Sequence, residues 1–188
     1  MSAGKATIET RHSATATPEI VIETTSKASP DRVFDALIDP TTHLEWGGRR
    51  IKGERLTALD GPTGPASVGT TWTSVGATSF GEFHDRSVVT AVQRPDLFEF
   101  RTESEHHFRN GRVTRATHVH RYELEPVDGG TRITHRQLTP GGTTNLPWWI
   151  KVVYTVPPIR AIVLPMMVNE MARPGLNALA GLAEEHSR

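Results

Sequence analysis

The chain of 188 residues contains no cysteine, which excludes disulfides, thiolate metal ligands and a cysteine nucleophile. It has no excess of either charge, with 21 Lys plus Arg against 21 Asp plus Glu. No global positive field is therefore available to hold nucleic acid or an anionic membrane. The opening stretch MSAGKATIETRHSATATPE has no apolar run of the secretory kind. It is rich in Ala, Thr and Ser, so residues 1–17 read as a flexible tail ahead of one domain, 18–188, with a cytoplasmic location expected. The Gly-rich pieces DGPTGPASVG and PGGTT lack the order of a phosphate loop, and the basic residues are scattered rather than interleaved with aromatics. Neither a cofactor nor a nucleic-acid partner is called for.

A continuous membrane span is also missing. Leu146 to Val168 is long and apolar, but it holds Lys151, Arg160, the pair Pro157-Pro158 and Pro165. A spanning helix must satisfy its own backbone, and a central Pro-Pro breaks that ladder. The segment fits better under the domain, or against a membrane surface through Trp148 and Trp149.

What is present is a run of short elements. Glu19 to Ala28 is rich in β-branched residues and reads as a strand. In SPDRVFDALIDP, Ser29 can cap a helix, Pro30 suits its first turn and Asp31 favours the positive end of its dipole. Val33, Phe34, Leu37 and Ile38 form its apolar face, and Asp39-Pro40 ends it. A short helical turn, TTHLEWGG, follows. From Arg50 onward come successive strands with hairpin-length links, including Asn110-Gly111 and Asp128-Gly129, which describe an antiparallel meander. The C-terminus is helical, and Pro174-Gly175 should kink or split that helix.

The stretch ATHVHRYELEP sets two histidines two residues apart. With Asp128-Gly129 as a two-residue turn, Leu124 faces Ile133, Tyr122 faces His135 and His120 faces Gln137. His118, His120, Tyr122 and Leu124 then share the apolar, concave side with Ile133 and His135, while Arg115, Arg121, Glu123, Arg132 and Arg136 point to water. His120 and His135 are diagonal neighbours, and His118 lies too far along the strand to complete a three-histidine metal centre without a bulge. His106 and His107 could be recruited from the preceding strand. His84 and Arg86 share one strand face and Asp85 and Ser87 the other, with nothing to set Asp85 beside a histidine. A competing architecture is the cupin, whose Gly, His-x-His, Glu, Gly order is approached by GRVTRATHVHRYELEPVDGG, although no second motif follows.

The order of elements, with Pro30, Val33, Leu37, Asp39-Pro40 and Trp46, Val68-Gly69-Thr70, Arg94-Pro95 and YELEPVDGGTRIT, resembles the START-like (SRPBCC) superfamily, in particular its polyketide cyclase/dehydrase and lipid-transport-like branch. The resemblance implies an α+β helix-grip fold. A curved antiparallel sheet of about seven strands wraps a long C-terminal helix, with two short helices after the first strand. It also implies a pocket between sheet and helix for a small hydrophobic, lipid- or polyketide-like ligand, held as carrier or sensor. The expected wall is Trp46, Trp72, Phe98, Phe100, His118, His120, Tyr122 and His135, with Met167 and Met171 in the lid. The alternative is a cyclase or dehydratase using His120 or His135 as general base. Peripheral membrane contact could accompany lipid transfer.

Overall fold

In the computed structural model of the protein, which describes residues 19–49, 55–159, 162, 163, 166 and 172–185, the chain is built on one antiparallel sheet. Its strands are β1 (Ile20–Ser26), β2 (Arg55–Asp60), β3 (Thr71–Thr78), β4 (Gly81–Gln93), β5 (Leu97–Phe108), β6 (Val113–Val127), β7 (Gly130–Leu138) and β8 (Thr143–Thr144). The spatial order is β1-β7-β6-β5-β4-β3-β2, with β8 attached to β6. The first strand therefore closes against the last long one, and β2 to β7 form a meander.

The turn at Asp128-Gly129, where Gly129 takes φ +79°, sets the β6–β7 register as its chemistry predicts. Tyr122 pairs with His135, Leu124 with Ile133 and His120 with Gln137. Between β4 and β5 the register slips by one residue between Val89 and Ala91, a bulge that no residue type announces.

Helix α1 (Pro30–Ile38) buries Val33, Phe34, Ala36, Leu37 and Ile38. Ser29 occupies the N-cap position, but its side chain makes no capping bond, so the expected cap is corrected. The start rests on Pro30 and on Asp31 in the first turn. Arg94, at the β4–β5 turn, reaches Asp31 at 3.0 Å and Asp35 at 2.6 Å and lies over the Phe34 ring, tying α1 to the sheet. After α1, Asp39 Oδ1 accepts from Thr41 N at 2.9 Å within a 3-10 turn (Pro40–Thr42), and a π-helical turn (Glu45–Arg49) then carries Trp46 over the sheet.

Helix α2 (Trp148–Thr155) lies in the apolar segment and ends before Pro157-Pro158. The C-terminal helix α3 (Arg173–Glu185) begins next to Pro174. Pro174 sits in its first turn, where the missing N–H costs nothing; residues 167–171, on which the expected kink or split at Pro174-Gly175 also depends, lie outside the described residues. Leu176, Leu179, Ala180, Leu182 and Ala183 of α3 join α1, Ile22, Leu124 and Ile133 in the core. Ser26 Oγ donates to Ala180 O at 3.0 Å, and Lys27 N donates to Glu184 Oε1 at 2.8 Å, which anchors α3 to the end of β1. Among the described residues, no helix is long and apolar enough to cross a membrane. The tail read at residues 1–17 lies outside the described residues, as do Met167 and Met171.

Candidate functional site

The concave face of the sheet does not close completely against the π-helical turn and the start of α3. A cavity of about 430 Å³ remains, within the range of small-molecule sites. Its two halves differ in chemistry.

One half is aromatic and histidine-rich. Strands β6 and β7 present alternate residues inward, which brings His120 Nδ1 to 3.2 Å from His135 Nε2, with the two rings parallel within 2°. Phe100 stacks on His120 at 4.8 Å between centroids, and Tyr122 on His135 at 4.4 Å. Trp72 meets Phe100 edge-on at 5.1 Å. Above them, His43 packs against Trp46 at 4.7 Å and against Trp72 at 5.4 Å. Its Nε2 donates to Leu37 O at 3.1 Å, which fixes the ring under the end of α1.

Burial removes the water that would solvate a charged imidazole, so these rings are held neutral. His43 and His135 are each pushed down to about 4 by desolvation. His120 is lowered well below the usual value by desolvation, then by the neighbouring His135, His118 and His43. His118 is also lowered by desolvation. Gln137 Nε2 stands 3.2 Å from His118 Nδ1; an amide nitrogen can only donate, so Nδ1 accepts and the neutral ring carries its proton on Nε2.

The other half, over β3 to β5, is lined by Ser74, Asp85, Ser87, Thr102, Ser104 and His106. Ser87 and Thr102 hydroxyls pair at 2.8 Å across the strands. Burial raises the Asp85 carboxyl to about 6, partly countered by a hydrogen bond from Ser104 and by the nearby His84. Phe83 lies across Gly76, where a Cβ would come within 1.9 Å of the ring, so only glycine lets the ring lie down on the sheet.

Three buried side-chain atoms have no hydrogen-bond partner among the described residues: Trp46 Nε1, Asp85 Oδ1 and His106 Nδ1. All three residues line the cavity. Buried polar groups are almost always paired, so three orphans around one cavity require an explanation.

Of the expected wall, Trp46, Trp72, Phe100, His118, His120, Tyr122 and His135 converge on the cavity. Phe98 does not: it is fully buried in the core with α1, and its place in the wall is corrected. It shares a strand face with Phe100 but lies two residues closer to the β4–β5 turn, where α1 covers the sheet. The lining is mostly apolar, as expected, with its polar side chains gathered over β3 to β5. Three contributors escaped sequence reasoning. His43 stands one helical turn before Trp46, a spacing that would have placed both on one side. Asp85 and His106 are brought together by the β4–β5 pairing, in which Asp85 faces Ser104 and Phe83 faces His106. His106 and His107 do not join the other histidines as ligands; among the described residues, no three His, Asp or Glu side chains converge as a metal site.

A curved antiparallel sheet gripping a C-terminal helix around a partly polar cavity defines a helix-grip domain of the START-like (SRPBCC) superfamily, a fold that typically binds ligands. Within it, the chain belongs to the family described as Activator of Hsp90 ATPase homolog 1-like protein, which matches residues 27–148. No curated protein matches the chain. Among solved structures, a Chromobacterium violaceum protein aligns with a TM-score of 0.57 at 15% identity, covering 88% of this chain and 96% of its own. A Nitrosomonas europaea protein aligns with a TM-score of 0.56 at 15% identity, covering 94% and 99%. A Rhizobium loti protein aligns with a TM-score of 0.54 at 19% identity, covering 87% and 95%. At these identities the likeness is one of fold.

Proposed function

We propose that the protein binds a small molecule in the cavity between β3–β7 and the π-helical turn, acting as a carrier or sensor. The observation that carries this reading is Trp46: its indole is 8% exposed and lines the cavity, yet its N–H has no acceptor among the described residues. An unpaired buried donor costs about 1–3 kcal/mol, which an acceptor on a bound molecule removes. The stacked Phe100, His120, His135 and Tyr122 rings offer a flat wall for a ring-bearing body. A volume of about 430 Å³ suits a compact polyketide-sized molecule better than an extended acyl chain. The test is a titration of the full chain with 1,8-dihydroxyanthraquinone, followed by tryptophan fluorescence in wild type and Trp46→Phe. Saturable quenching that weakens several-fold in the variant supports the reading; quenching that is linear and unchanged contradicts it.

Burial weighs against the enzymatic alternative. A general base works best with a pKa near the operating pH, and His135, held at about 4, is a weak one. Turnover of a polyketide-like substrate that His135→Gln abolishes without loss of binding would reinstate it.

Peripheral membrane contact is a second reading, favoured by one surface. Trp148 is 75% exposed and Phe80 53% exposed, with Phe80 5.5 Å from Trp149 between ring centroids. Aromatic side chains of this kind sit at the headgroup level of a bilayer. Co-sedimentation with phosphatidylcholine vesicles that Trp148→Ala and Trp149→Ala abolish supports it; recovery in the supernatant contradicts it.

A further inference from the structure

The polar end of the cavity has a definite hydrogen-bonding sense. Thr78 Oγ1 accepts from Phe80 N and from Gly81 N, each at 3.1 Å, which uses both of its lone pairs. The one hydroxyl hydrogen has two acceptors in reach, Gly81 O at 3.3 Å and His106 Nε2 at the shorter 3.1 Å; with both lone pairs used, Nε2 stands to this hydroxyl as an acceptor and not as a donor. In the neutral imidazole the proton is then on Nδ1, the atom that is buried without a partner. Desolvation lowers the His106 pKa, followed by the effect of the neighbouring His107, and this keeps the ring neutral. Two residues before His106, Ser104 donates across to the Asp85 carboxylate on β4 and leaves Oδ1 buried and free to accept. Asp85 and His106 occupy diagonal positions with Ser104 beside both, about 7 Å apart along the sheet. One unpaired donor and one unpaired acceptor thus face the same volume, next to a Phe83 ring laid over Gly76.

We propose that this end of the cavity is a recognition subsite for a flat, uncharged ligand whose edge carries a hydrogen-bond donor beside a carbonyl acceptor, as in a lactam or imide. The donor meets Asp85 Oδ1 and the carbonyl meets His106 Nδ1–H. A ligand carboxylate is disfavoured there, because it would stand against Asp85. A bare cation would satisfy Asp85 but leave the His106 donor opposed to it. This assignment rests on the cavity being a small-molecule site and names the chemistry of what it takes.

The test compares two probes of one shape on the full chain by calorimetric titration: 2-quinolinone, with a ring N–H beside its carbonyl, and coumarin, with a ring oxygen in that place. The expected result is binding of both, with 2-quinolinone tighter by at least about tenfold, the effect of one hydrogen bond to a charged group. Asp85→Leu should bring 2-quinolinone down to the coumarin affinity and leave coumarin unchanged, with a melting temperature at pH 8 no lower than that of wild type. Equal binding of the two probes by wild type overturns the subsite and leaves the cavity reading intact. Binding of neither overturns both. A markedly lower melting temperature for Asp85→Leu would make the carboxylate a support of the fold and overturn its role in recognition.

Discussion

On the outer face of β6 and β7, Arg121 reaches Glu99 at 3.2 Å and Glu123 at 2.9 Å, and Arg136 reaches Glu123 at 3.0 Å and Glu19 at 3.5 Å. On the inner face of the same strands, one residue away, His120 and His135 meet each other at 3.2 Å, inside a stack of aromatic rings. The outer charges are mutually satisfied. Glu123 shows this: its slight burial pushes its pKa up, but hydrogen bonds from Arg121 and Arg136 bring it below the usual carboxylate range. Inner groups are instead neutralised by burial, and some are left unpaired. Alternation along a strand thus separates a face of paired charges from one of buried neutral groups.

Acid should separate the faces most strongly. His43 and His135 fall from 6.5 in the unfolded chain to about 4 when folded, so the unfolded state binds more protons between those values. Stability is then fully present above pH 6.5 and lost as pH falls toward 4, by about 3 kcal/mol per histidine at most. Asp85 opposes this: its pKa is raised from 3.8 to about 6, so it favours the fold as pH falls through that window. With one carboxyl against two or more histidines, the melting temperature should drop between pH 7 and pH 5 and should drop less in His135→Gln. A melting temperature flat over this range would mean that the inner histidines are solvated.

Next in size is the core beneath the cavity. Phe98→Ala should cost about 3–5 kcal/mol in chemical denaturation, because Phe98 is fully buried and its neighbours are held by α1. Affinity of the remaining folded protein for coumarin should change little, since Phe98 does not line the cavity. A large loss of affinity with little loss of stability would return Phe98 to the wall.

Asp85→Asn should act in the opposite sense and raise stability above pH 6 by up to about 3 kcal/mol, the linkage value of the raised carboxyl, with no gain at pH 4. A variant destabilised at pH 8 would show that the carboxylate is satisfied in the free protein. On the outer face the effect should be smallest. Arg136→Gln should cost within about 1 kcal/mol and less at high salt, because the pair is one-third exposed and screened. A cost of several kcal/mol would contradict the contrast between the faces.

The fold was largely legible because its signals are local. Asp128-Gly129 specified a turn, the turn specified a register, and alternation then put His120 and His135 on the inner face beside each other. Pro30 and Asp39-Pro40 bracketed α1. The site was legible only where such a turn lay close by. Counting straight back from the β4–β5 turn would set Asp85 opposite Glu105, two like charges. The bulge between Val89 and Ala91 moves the pairing by one and puts Ser104 there instead, which brings His106 to the diagonal. Nothing in the residue types at that point marks the slip, so the subsite was hidden. Pro174 stands in the first turn of α3, a place that helical periodicity on its own does not locate.

The most direct test of the cavity as a binding site is a nitrogen–proton NMR titration of the full chain with coumarin. The expected result is saturable movement of the Trp46 and Trp72 indole signals and of the ring signals of His120 and His135, with the amides around Phe80 and Trp149 unmoved. Movement confined to Phe80 and Trp149, or to outward positions such as Arg121 and Arg136, would place binding outside the cavity and contradict the proposal.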